Sequence, residues 1–217
     1  MNRTDQTSPS QIAPLPEPLS PDLPTIEQLV SLCLPDYLRI VEPDSARHMD
    51  LSSCEILPAP PEPADRLVRA QVSSRRGLTI HVRVLIEPDP LPAEDVPARL
   101  LSVLQEAALP YGAPILLSIF SLNGDSPGVG LESATLSSLL NIEFIRAYYT
   151  AWCLSSSSAD SHLQRPEPLA WALAPYMHSP TRTQPELFAA ARDRALAAEL
   201  PDDLRGALLS FLPPDVR

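Results

Sequence analysis

The stretch that decides the fold runs Arg66-Leu67-Val68-Arg69-Ala70-Gln71-Val72, then Ser73-Ser74-Arg75-Arg76-Gly77, then Leu78-Thr79-Ile80-His81-Val82-Arg83-Val84-Leu85-Ile86. Apolar residues alternate in both flanks, with Val68, Ala70 and Val72 on one face of the first and Ile80, Val82, Val84 and Ile86 on one face of the second. A period of two marks half-buried strands, and the Gly-ending segment between them marks a hairpin. If residues 73–77 form the loop, Val72 pairs with Leu78. That register sets Arg69 opposite His81, Leu67 opposite Arg83 and Asp65 opposite Leu85. The second face then carries Asp65, Arg69, Gln71, His81 and Arg83.

Outward from the hairpin the signals are helical and strand-like by turns. Upstream, Thr25 and Gln28 form a capping-box pattern that opens a helix over Ile26 to Leu34, which Pro35 stops. Downstream, the spacing predicts an amphipathic helix from about Pro97 to Leu109 and a buried strand from Ile115 to Ser121, joined to the hairpin as a parallel crossover. Gly124 to Gly130 reads as a loop and Ile142 to Thr150 as a further strand. Three Pro-started helices follow, over Pro166–Met177, Pro185–Leu200 and Pro201–Leu212. Residues 1–24, rich in Pro with few apolar groups, read as a disordered tail.

The chain has 217 residues, 44% of them hydrophobic, enough for one domain with a real core. All 16 cationic side chains are Arg, which excludes a Schiff-base lysine and a Walker-type phosphate loop. A net charge of −11 argues against binding driven by a basic surface. Cys33, Cys54 and Cys153 are too scattered for a disulfide framework or a zinc site, and read as core thiols of a reducing cytoplasm. No apolar run is long enough to span a membrane, and no signal pattern opens the chain.

Most candidate sites have a plain alternative. Gly128-Val129-Gly130 lacks the serine of a nucleophile elbow and reads as a turn. His48, His81, His162 and His178 follow no metal-ligand spacing. Glu87/Asp89 and Asp202/Asp203 lie beside prolines or at a helix start, where acids are solvated or cap a helix. Trp152 and Trp171 lack basic neighbours and read as packing anchors.

The hairpin and its flanks carry a resemblance. Leu34-Pro35-Asp36, Asp44 to Leu51, Ala64-Asp65-Arg66-Leu67-Val68-Arg69, Ile80-His81-Val82, Pro97 to Leu101, Tyr111 to Leu116 and Leu169 to Pro175 resemble, in order, the recombination-promoting nuclease (Rpn) / putative transposase family. That family belongs to the PD-(D/E)XK nuclease superfamily. The resemblance implies a helix, hairpin, helix, strand core in which an Asp on one strand and a Glu-x-Gln or Glu-x-Lys on the next hold Mg²⁺. Asp65 matches the Asp. In the register above, Arg83 stands at the position of the Glu and Leu85 at that of the Gln or Lys, so Arg83 would act as internal counterion to Asp65. Glu87, through a register slip, or Glu27 on the first helix would be the replacement carboxylate.

The expectation is therefore an α/β fold: a PD-(D/E)XK nuclease-like core at 25–150, a disordered tail at 1–24 and a helical C-terminal extension at 151–217. The function expected is that of a degenerate, catalytically inactive, cytoplasmic binding or regulatory module with no cofactor. Its partner would be an unidentified protein or DNA, with a homodimer possible and no membrane contact. One alternative is an active Mg²⁺-dependent DNA endonuclease. Another is a non-catalytic DNA binder using Arg69, Arg75, Arg76 and His81.

Overall fold

The computed structural model describes residues 21–58, 66–106, 113–125, 128–137 and 143–212. The first helix, α1 (Leu23–Leu32), starts earlier than the capping-box pattern predicts, because Asp22 and not Thr25 is its cap: the Asp22 carboxylate accepts from the Thr25 backbone N–H at 3.0 Å. Residues 21–24 thus belong to the folded part. Pro35 does not end that helix but occupies the first turn of α2 (Leu34–Val41), where its missing N–H costs nothing. After the short α3 (Pro43–Ala46) comes β1 (Met49–Ile56), a strand that the sequence reading passes over.

β2 (Leu67–Ser74) and β3 (Thr79–Glu87) form the expected hairpin, with a corrected register. Val72 pairs with Ile80, Arg69 with Arg83 and Leu67 with Leu85, so partners sum to 152 and the ladder is shifted by two residues from the expectation. The reason is in the turn. Gly77 adopts a φ of +80° and donates to the Ser74 carbonyl at 2.9 Å, so the loop is only Arg75-Arg76-Gly77. A three-residue loop closed by a left-handed Gly is a standard hairpin connection.

The chain continues through α4 (Val96–Glu106), β4 (Ile115–Ser121), β5 (Val129–Ser137) and β6 (Glu143–Cys153). The six strands form one mixed sheet in the order β1-β2-β3-β4-β6-β5, in which β4 runs parallel to both β3 and β6. Val129 and Gly130, read as loop, are the start of β5. The C-terminal segment folds as α5 (Ala159–Leu163), α6 (Pro168–Leu173), α7 (Gln184–Ala197) and α8 (Asp202–Phe211). Asp202 and Asp203 do sit in the first turn of α8.

Alternation places two cores on the two sheet faces. Even-numbered residues Val68, Ala70, Val82, Val84, Ile86, Phe120 and Trp152 pack with Ile26, Tyr37, Leu169, Phe188 and Leu208 from α1, α2, α6, α7 and α8. Tyr37 anchors this layer: its hydroxyl lies 2.6 Å from Ser118 Oγ, which donates onward to the Thr150 carbonyl. Odd-numbered Leu67, Leu85, Leu117, Ile119 and Tyr149 pack with Val96, Leu100 and Val103 of α4. Among the described residues, no helix is long and apolar enough to cross a membrane.

Candidate functional site at the carboxyl ends of the parallel strands

β3, β4 and β6 end together, and the ladder sets Glu87 beside Ser121 and Ser121 beside Cys153. These three residues share the odd-numbered face, the one α4 covers. The carboxyl ends of parallel strands are where open α/β sheets commonly bind ligands. Glu87 is not solvated there: Arg99, one turn into α4, donates from Nε (3.2 Å) and Nη2 (3.0 Å) to Oε1, and the Glu87 side chain is only 13% exposed. Pro88 does not break the pairing, because the Glu87 carbonyl still accepts from the Leu122 N–H at 3.1 Å.

The loop after β3 is clamped by Asn123. Its side-chain amide donates to the Pro88 carbonyl at 3.1 Å and to Asp89 Oδ1 at 3.0 Å. Gly124 follows with a φ of +133°, and a Cβ there would stand 2.4 Å from Pro90 Cγ, so only Gly lets the two loops approach. Beside this row lies a cavity of about 270 Å³, lined among others by Ser121, Glu132, Tyr149 and Cys153. Burial alone would raise the Cys153 thiol, but hydrogen bonds from Ser156, Ser155 and Ser121 outweigh it and hold the thiol below its usual value. Tyr149 donates to Glu132 at 2.6 Å; burial first, and then that carboxylate, push the Tyr149 phenol well up.

The other expected residues fall elsewhere. Asp65 lies outside the described residues, and so does its pairing with Arg83. Arg69, His81 and Arg83 are buried on the odd face, and Arg83 Nη1 donates to the carbonyls of Val82 (2.8 Å) and Ala70 (3.3 Å). Arg75 and Arg76 stand exposed at the hairpin tip, so the structure does not bring these five residues onto one open surface. Leu85 is a core side chain. Glu27 belongs to α1, which covers the face opposite to that of Glu87. Among the described residues there is no group of three or more His, Cys, Asp or Glu side chains placed to hold a metal.

The protein is a mixed α/β protein whose six-stranded sheet is layered by helices on both faces. No family model matches the chain, and comparison with curated proteins and with solved structures returns no match.

Proposed function

We propose that the chain is a PD-(D/E)XK-type, metal-dependent nuclease whose acidic pair is Asp65 and Glu87, with Asp89 as the third polar group. The observation that carries this reading is the hairpin register. With partners summing to 152, two further steps beyond Leu67 and Leu85 would set position 65 across from Glu87, where the expected ladder would have set it across from Leu85. The case for a degenerate site rested on Arg83 and Leu85 standing at the carboxylate and amide positions. Under the observed ladder Leu85 takes the first of these and Glu87 the second, which would bring one carboxylate directly across from position 65 and leave Asp89, two residues on, as a further oxygen donor. The element order α1, hairpin, α4, β4 also agrees with the core that the resemblance implies.

The donor chemistry of these residues is what a divalent cation would need. The oxygen-only donor set of Asp65, Glu87 and Asp89 suits Mg²⁺, and the guanidinium held against Glu87 marks a position that favours positive charge. Mg²⁺ bound there would stabilise charge on a phosphodiester and acidify an attacking water. The chain's own part is positional: Asn123 fixes the Asp89 carboxylate, the β3–β4 ladder fixes Glu87, and α4 screens one side from solvent.

The Glu87–Arg99 ion pair also favours a second reading, in which the guanidinium permanently replaces the metal and the fold serves as a binding module. Plasmid nicking with Mg²⁺ or Mn²⁺ separates the two. Nicking by the wild type that is lost in Glu87→Gln and in Asp65→Asn is the outcome the nuclease reading requires. An inert wild type that also fails to bind Mn²⁺ would leave the binding module.

A further inference from the structure

Beyond the hairpin end of the sheet, an open groove of about 1050 Å³ runs between α2, α3, the start of β1 and the hairpin tip. Four of the chain's 16 cationic side chains line it, each from a different segment: Arg39 on α2, Arg47 after α3, Arg75 at the hairpin tip and Arg165 between α5 and α6. In a chain of net charge −11, such a convergence is a local concentration of guanidiniums, three of which already hold a carboxylate: Arg39 with Asp36, Arg47 with Asp44 and Arg165 with Glu167.

Two of these guanidiniums are fixed by largely buried carboxylates, Asp36 and Glu167, the second of which also lines the groove. Arg39 donates to Asp36 at 2.7 Å and Arg165 donates through Nε to Glu167 at 3.1 Å. Asp36 and Glu167 are themselves only 9% and 8% exposed, whereas the two arginine side chains keep 47% and 35% of their surface open. Arg165 Nη2 also donates to the Arg39 carbonyl at 3.3 Å, tying the pair together. On the rim, Arg47 and Arg75 are exposed, and the Ser73 and Ser74 hydroxyls line the strand wall. Arg47 reaches Asp44 at 3.4 Å in an exposed pair, and Asp50, which lines the groove, has Oδ1 occupied by the Ser52 N–H and hydroxyl. Among the described residues no aromatic ring lines the groove, so they offer a base nothing to stack on and recognition by them falls to anionic groups.

We infer that this groove binds a small ligand carrying two or more linked phosphates, such as inorganic tripolyphosphate or the triphosphate of a nucleotide. Planar guanidinium forks match phosphate oxygens in pairs, and arginines on both walls call for more than one anionic group. Arg39 and Arg165 supply the fixed donors, while Arg47 and Arg75 close on the ligand from the rim. The nine residues of β3 separate this groove from Glu87 by roughly 26 Å, so it is independent of the nuclease reading.

Isothermal titration with tripolyphosphate, ATP and a single-stranded oligonucleotide tests the inference, using wild type, Arg47→Gln/Arg75→Gln and Glu87→Gln. Tripolyphosphate and ATP are expected to bind the wild type with similar affinity. The double variant, whose replaced side chains are exposed, keeps the wild-type melting temperature but weakens both ligands by about tenfold or more. Glu87→Gln changes neither. Absence of binding by both phosphates, equal binding in the double variant, or binding of the oligonucleotide alone would overturn it.

Discussion

His162 lies flat against Trp152, with ring centroids 5.9 Å apart and an interplanar angle of 12°, and its Nδ1 meets the Ser158 carbonyl at 2.9 Å. Burial, reinforced by Arg165 and opposed by that carbonyl and Glu167, holds its pKa below the usual imidazole value. His81 is shifted the same way by burial and by the Arg83 charge. The folded chain therefore binds fewer protons than the unfolded chain below about pH 6.5, and stability falls as pH drops through that window while being complete above it. Urea midpoints measured across this window should show a slope that His162→Gln partly flattens, His81 supplying the remainder. Identical slopes in the two proteins would contradict the assignment. Nothing in the sequence singled out His162, because its stack on Trp152 and its contact at the start of α5 exist only after packing. Cys33, by contrast, behaves as the buried thiol that its apolar surroundings suggested: burial, then the Asp36 charge, push it up to about 12.

At the scale of the element, the hairpin loop governs the register and hence which carboxylate ends up at the site. Its residues are all visible in the sequence, but how many of them leave the ladder is not. Counting Ser73 and Ser74 as loop shifts every pairing by two, which preserves faces but changes partners. Arg69, His81 and Arg83 therefore share one face, as expected, while the partner of Arg83 is Arg69 and not Leu67. Gly at the last loop position was the available signal for a three-residue connection. Gly77→Ala should cost roughly 1–2 kcal/mol, purely through its positive φ, since a Cβ there meets nothing within 4 Å. A lower urea midpoint with an unchanged denaturant slope would match this; a wild-type midpoint would show that the turn tolerates Ala in another conformation.

The strands that the sequence did not disclose, β1 and β5, are the two edges of the sheet. Edge strands need only one partner and little apolar alternation: β1 carries Ser52, Ser53 and Glu55 with a register break between Asp50 and Glu55, and β5 carries Gly130, Glu132 and Ser133. The interior strands β3 and β4 were legible because burial on both faces fills them with Val, Ile and Leu. The first helix and its neighbour were misbounded by a proline that ends one helix in a linear reading and begins another in the fold.

For the molecule as a whole, the sheet presents two candidate sites at its two ends: the Glu87–Ser121–Cys153 row at the strand termini and an arginine-lined groove around the hairpin tip. The absence of lysine bears on both. It leaves the acidic site without an ammonium group, so Asp89 and Arg99 are the polar neighbours at hand, and it makes every cation of the groove a planar fork suited to phosphate. Arg99 is the residue on which the proposal turns, since its guanidinium holds Glu87 Oε1 where the proposed metal would bind. The most direct measurement is Mn²⁺ binding, followed by electron paramagnetic resonance, in wild type, Arg99→Ala and Glu87→Gln, with plasmid nicking read on the same samples. The account predicts saturable Mn²⁺ binding and nicking by the wild type, tighter Mn²⁺ binding in Arg99→Ala, and loss of both signals in Glu87→Gln. Mn²⁺ binding that is absent from the wild type and from Arg99→Ala, or nicking that survives Glu87→Gln, would contradict it.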